Sequence, residues 1–167
     1  MIRIIGNDGL YSINDLGCGY GAFYDYLRAR NDRFRYLGCD VSNQMIEAAR
    51  QRHSECENAR YVVSAEPPEV ADYGVASGVF NVRLDLTASE WKNHIEQTLD
   101  MLDRTSRLGF AFNCLTSYSD HDRMRDYLYY ADPCLLFDYC KKKYSRNVAL
   151  LHDYNLYEFT LLIRKNP

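Results

Sequence analysis

Long apolar runs are missing from this 167-residue sequence. No stretch reaches the roughly 18 consecutive apolar residues of a membrane-spanning helix. The opening residues, Met1-Ile2-Arg3-Ile4-Ile5-Gly6-Asn7-Asp8, lack the apolar segment and small-residue cleavage site of a secretory leader. Clustered Lys and Arg are scarce, and the formal net charge is −3. A nucleic-acid surface needs the opposite balance. None of the six cysteines forms a CxxC pair, and no His pair has zinc-finger spacing, so no metal site is expected. Internal repeats, low-complexity tracts and linkers are also absent, and of the four prolines only Pro67-Pro68 marks a loop. These absences leave a single domain over residues 1–167, with no membrane or nucleic-acid partner. The six thiols read as reduced side chains of a cytoplasmic protein.

What is present is enough apolar and aromatic material for a core, 47% and 14% of residues. Strand and helix patterns alternate along the chain. Tyr11 to Leu16 reads as a strand, followed by a glycine-rich turn and a helix from about Gly21 with Phe23, Tyr26 and Leu27 at helical spacing. Arg35 to Val41 is a second strand, and Ser42 caps a helix carrying Met45, Ile46 and Ala49. Ala59 to Ser64 and Tyr73 to Phe80 follow as strands, separated by the Glu66-Pro67-Pro68-Glu69 loop. Thr87 and Glu90 form a capping box for a helix with Trp91, Ile95, Leu99 and Leu102 inward. A fifth strand runs from Leu108 to Cys114. Asp132-Pro133 opens a helix with Leu135, Leu136, Tyr139 and Cys140 inward, ending in the solvated run Lys141-Lys142-Lys143. Val148 to His152 and Leu156 to Arg164 close the chain as an antiparallel hairpin, because Asp153-Tyr154-Asn155 is too short for a crossover. The expected fold is α/β: a doubly wound, mostly parallel seven-stranded sheet whose last strand is antiparallel.

The chemistry concentrates at Asp15-Leu16-Gly17-Cys18-Gly19-Tyr20-Gly21, between the first strand and first helix. Glycines let backbone approach a ligand there, and the helix N-terminus favours polar or anionic groups. About 20 residues on, the second strand ends in Asp40, where a carboxylate can accept both hydroxyls of a ribose. Gly17-x-Gly19-x-x-Ala22 is also compatible with a dinucleotide fingerprint, which leaves an NAD-dependent oxidoreductase as an alternative. The acid two residues before the first glycine is outside that fingerprint. It opposes a pyrophosphate and suits a ligand with a sulfonium and an ammonium, namely S-adenosylmethionine.

With these residues the chain resembles the class I, Rossmann-like S-adenosylmethionine-dependent methyltransferases. The match comprises the glycine turn, Leu37-Gly38-Cys39-Asp40-Val41-Ser42 with Met45, the Ser64-Ala65-Glu66 strand end and the terminal hairpin. The resemblance implies that Asp15, Gly17, Cys18, Gly19 and Gly21 hold the methionine part. It implies Asp40 on the ribose, Val41 and Met45 flanking the adenine, and Ala65 or Glu66 at the adenine edge. Gly78, Phe80 and Asn81 then line the methyl end.

Methyl transfer is a displacement at a sulfonium, so positioning of the acceptor dominates, and a general base helps a hydroxyl or ammonium acceptor. The segment after the fifth strand, Cys114 to Tyr130, holds the densest mix of titratable and aromatic residues. Ser119 reads as the cap of a short helix within it. His121 is the preferred base because its ordinary pKa suits neutral pH. Tyr118 and Asp120 are the other catalytic candidates, and Tyr118, Tyr129 and Tyr130 an aromatic wall. His152 reads as a core-edge histidine, His53 and His94 as solvated. The Asp/Asn-Pro-Pro-Tyr signature of base methylation is absent, so the expected acceptor is a small molecule bearing oxygen or nitrogen, with a secondary metabolite or surface sugar as the suggested context. A cofactor-binding, non-catalytic subunit is the alternative. Only Met1 to Leu10 precede the first strand, a reduced lid from which Ile2, Ile4 and Ile5 form an added edge strand. Completion of the cleft by a homodimer mate or a partner chain is therefore expected.

Overall fold

The computed structural model describes residues 1–6, 9–30 and 33–165. The Gly6-to-Gly9 turn expected from the sequence falls partly outside them.

Eight strands form one sheet: β1 (Tyr11–Leu16), β2 (Phe34–Asp40), β3 (Ala59–Val63), β4 (Ala71–Ala76), β5 (Ser106–Thr116), β6 (Tyr130–Ala131), β7 (Asn147–Leu151) and β8 (Glu158–Arg164). Their spatial order is β3-β2-β1-β4-β5-β8-β7, with the two-residue β6 paired beside β5. β1 to β5 pair in parallel. β8 runs antiparallel to both β5 and β7, as the hairpin requires. Chain order reverses direction at β1 and β4, and the carboxyl ends of these strands border the crevice where α/β sheets take ligands.

The helices are α1 (Ala22–Ala29), α2 (Asn43–Arg52), α3 (Ala88–Arg104) and α4 (Pro133–Lys143). Three of them, α2, α3 and α4, start where a side chain satisfies the free amides. Ser42 Oγ accepts from Met45 N, Thr87 and Glu90 bond reciprocally, and Asp132 accepts from Cys134 N and Leu135 N. Strand alternation sends residues to two cores. Tyr11, Ile13, Tyr36, Tyr73 and Val75 pack with Leu27, Ile46 and Ala49 from α1 and α2. Leu16, Leu37, Cys39, Phe110 and Phe112 pack with Trp91, Ile95, Leu99 and Leu102 from α3 and Cys140 from α4. α4 turns differently from the expected register: Leu135 is exposed, and Phe137 packs on the core instead.

Two connections shape the functional end. β3 and β4 are joined by the loop 64–70, where adjacent prolines exclude a helix. At the N-terminus, Ile2–Ile4 is a single 3-10 turn, not an edge strand. Ile4 is buried against the sheet with Tyr73 and Leu162, so burying that side chain decides the local conformation.

Candidate active site

The glycine turn is built by hydrogen bonds to the end of β2. Gly17 N and Cys18 N both donate to the Cys39 carbonyl, at 2.8 and 3.0 Å. Gly19 N donates to Asp40 Oδ2 at 3.0 Å, and Ser42 N to Asp40 Oδ1 at 2.8 Å. One carboxylate thus ties the turn to the start of α2, and each of its oxygens keeps a lone pair for a ligand. Gly21 lies at φ +87°, and a Cβ there would sit 2.6 Å from His53 Cε1 and 2.8 Å from Tyr61 Oη. Gly17, at φ +70°, would meet Val79 Cγ2 at 2.6 Å. No side chain caps α1, so its first-turn amides stay available.

Asp15 lies buried beneath this turn and accepts a hydrogen bond from Tyr36 Oη at 2.5 Å. Burial pushes its carboxyl up to about 7, against that hydrogen bond, and the charge of Asp40 adds to the rise. The same burial raises the Cys18 thiol, which keeps it an unreactive packing group. Beside them His53, expected to be solvated, is buried. Its Nε2 meets Asp25 Oδ1 at 2.9 Å and its Nδ1 meets Tyr61 Oη at 2.8 Å. Burial alone would raise Asp25, yet the bonds from His53 and Arg52 hold its carboxyl below the usual range. This network braces α1, α2 and β3 under Gly21.

A cavity of about 770 Å³ opens above the turn, lined by Gly17, Asp40, Val41, Ala65, Ser77 and Gly78 among others. Five residues expected at a cofactor therefore share one surface. The others lie nearby with different roles. Gly19 and Gly21 shape the turn, and Asp15 and Cys18 support it from below. Met45 is exposed on α2, and Glu66 turns to Arg104 at 2.8 Å. Phe80 does not line the methyl end. It is fully buried against Phe112, and only its carbonyl is used, accepting from Trp91 Nε1 at 3.1 Å. Sequence periodicity did not reveal that the outer side of α3 forms the opposite wall, through His94, Gln97, Thr98, Met101 and Arg104. That wall is open because loop 64–70 brings no helix against it. His94 is exposed, as expected.

Ser77 also lines a second cavity, of about 380 Å³, between the N-terminal turn and the ends of β4, β5 and β8. Asn113, Asp153, Tyr154, Glu158 and Thr160 line it, together with Met1 to Arg3. Asn113 Oδ1 accepts from Gly78 N at 2.8 Å, and its Nδ2 donates to Glu158 Oε2 at 2.8 Å. The sequence held a partial signal: Asn113 is the polar residue within the apolar stretch from Leu108 to Leu115, whereas nothing local singles out Glu158 at the start of β8. A third cavity, of about 620 Å³, shares Asp153 and Leu156 and carries Tyr118, His152 and Tyr157. His152 is therefore not a core-edge residue: it is exposed, past the end of β7, with its ring 6.0 Å from that of Tyr118. His121 lies on an exposed 3-10 turn and lines none of these three cavities. The turn is not capped by Ser119, whose hydroxyl donates to the Thr116 carbonyl at 2.7 Å, while Asp120 accepts from Tyr157 Oη.

Comparison with known proteins agrees with this fold. Residues 14–108 match the methyltransferase domain family. The Mycobacterium tuberculosis protein Rv1506c, named as a methyltransferase, is 59% identical over 164 residues, covering 98% of this chain and 99% of that one. The fold is shared with the DhpI–SAH complex at a TM-score of 0.66 and 15% identity, over 99% of this chain and 82% of that one. It is also shared with the methyltransferase domain of bacterial CtHen1-C at a TM-score of 0.70 and 15% identity, over 93% and 90%. The chain belongs to the methyltransferase domain family, and its sheet has the class I, Rossmann-like topology.

Proposed function

We propose that this protein transfers the methyl group of S-adenosylmethionine to an oxygen or nitrogen of a small-molecule acceptor. The cofactor fits the residues present. The turn amides and α1 N-terminus suit the methionine carboxylate, and Asp40 suits the ribose hydroxyls. Val41, 73% exposed at the cavity rim, and Met45 beside it offer apolar surface to the adenine. The DhpI–SAH and DhpI–SAM–HEP complexes, which share this fold, support the same donor here. When bound, S-adenosylmethionine supplies an electrophilic methyl group on a sulfonium. The chain itself orients the acceptor and keeps water from the reacting atoms.

The observation that supports this reading is that Ser77 lines both the large cavity and the polar groove, so that a donor in the first and an acceptor in the second would be neighbours. Tyr118 lines the neighbouring cavity, which shares Asp153 and Leu156 with that groove, and Asp120 accepts from Tyr157 Oη at its edge. A second chain over the exposed Val82, Leu84, Leu86 and Tyr127 belongs to the same proposal, tested by light scattering with and without S-adenosylhomocysteine. So does a reducing, cytoplasmic location, supported by six cysteines that are all free. Calorimetry with S-adenosylhomocysteine tests the cofactor, and single-turnover transfer from labelled S-adenosylmethionine tests catalysis. No binding at millimolar ligand refutes the proposal.

A further inference from the structure

We propose that Glu158 is the general base of this enzyme, positioned by Asn113, and that the acceptor is an uncharged molecule methylated on a hydroxyl. The inference rests on the methyltransferase reading and deepens it. Gly78 belongs to the wall of the donor cavity, and Glu158 lies two hydrogen bonds away from its backbone, through the buried amide of Asn113. That amide has its acceptor and one donor committed in opposite directions, so it cannot rotate without losing both bonds. Glu158 lines the groove with Oε2 held by Asn113, and among the described residues Oε1 has no hydrogen-bond donor.

The lining argues for a neutral, hydroxyl-bearing ligand. Ser77, Tyr154 and Thr160 bring hydroxyls, and Tyr154 Oη and Thr160 Oγ1 already pair at 2.9 Å. Charges of both signs are present, Arg3 against Asp153 and Glu158, so neither a cation nor an anion is selected outright. An ammonium between two carboxylates would also be held in its charged, non-nucleophilic form. A hydroxyl meets the opposite situation: it is already a nucleophile once its proton has an acceptor. In the step, the hydroxyl oxygen bonds to the methyl carbon and the sulfur–methyl bond breaks with its pair left on sulfur. The hydroxyl proton passes to the Glu158 carboxylate and then to water. Other titratable groups facing Glu158 are Asp153 and Tyr154 from the β7–β8 loop, Cys114 on β5, and the amine of Met1 with Arg3 on the N-terminal turn.

The test uses glycerol and methyl glucoside as hydroxyl probes and n-butylamine as the amine probe, with tritiated S-adenosylmethionine. The wild type is expected to label a hydroxyl probe in preference to the amine. Glu158→Gln should lower that rate by ~10²–10⁴-fold and remove the acidic limb of its pH profile, with affinity for S-adenosylhomocysteine unchanged. A second readout is the carboxyl signal of Glu158 in protein labelled with [5-13C]glutamate, identified by its loss in Glu158→Gln. Methyl glucoside should shift this signal, and Asn113→Asp should move its titration to higher pH by placing a like charge beside it. An amine preference, no labelling of either hydroxyl probe, an unchanged rate in Glu158→Gln, or a titration unmoved in Asn113→Asp overturns the inference. Failure of the wild type to bind S-adenosylhomocysteine instead overturns the underlying methyltransferase reading.

Discussion

Replacing Asp15 by Asn should abolish a pH dependence of stability that this buried acid creates. Asp15 is 2% exposed, and folding raises its pKa from 3.8 to about 7. Below pH 4 the carboxyl is protonated in both folded and unfolded chains and contributes nothing. Between pH 4 and 7 the unfolded chain releases its proton while the folded chain keeps it, so stability falls as pH rises. Above pH 7 both forms are ionised and the full cost stands. A rise of roughly three pH units at about 1.4 kcal/mol each gives a cost of about 4 kcal/mol. Asn cannot ionise, and its Oδ1 still accepts from Tyr36 Oη. Its amide nitrogen can bring a desolvation cost of ~1–3 kcal/mol, but that offset is constant with pH. The assay is urea unfolding of both proteins from pH 5 to 9, read as their difference, which cancels every other titrating group. The variant should gain on the wild type between pH 5 and 7 and hold a constant difference above. A difference independent of pH would refute the reasoning, and with it the idea that the glycine turn rests on a carboxyl kept from water.

Three further outcomes follow from the same geometry. Asp40→Ala should weaken S-adenosylhomocysteine binding by about 1.5–3 kcal/mol by calorimetry, because a charged acceptor is lost; unchanged affinity would remove Asp40 from the site. Gly21→Ala should lower unfolding free energy by more than the ~1–3 kcal/mol of backbone strain alone, since its Cβ meets His53 and Tyr61. Gly19→Ala, at φ +54° with nothing within 4 Å, should cost only the strain, and equal urea midpoints for the two variants would contradict the assignment. His121→Ala should keep most of the turnover, since the ring lies outside the three cavities; a loss of ~10²–10⁴-fold would restore it as the base.

Much of the fold could be read from the chain because its signals are local. Strand patterns, the Thr87–Glu90 capping box, the Asp132-Pro133 helix start and the short Asp153-Tyr154-Asn155 connection act over a few residues. Together they determine a parallel sheet with one antiparallel strand. The glycine turn and Asp40 were legible for the same reason: a tight strand-to-helix turn and the end of the next strand are brought together by the βαβ unit itself. His53 and His152 show where local reading stops. Helical spacing gave no reason to bury His53, which is covered because Asp25 and Tyr61 arrive from α1 and β3 to satisfy both ring nitrogens. His152 shares strand parity with core residues, yet the strand ends before it. Tertiary structure alone decided that Asn113 and Glu158 meet, 45 residues apart in sequence. It also decided that α3 walls the large cavity, and that Ser77 lines both this cavity and the polar groove. These contacts depend on strand register and on which neighbour packs across the sheet, and no short stretch of sequence specifies either.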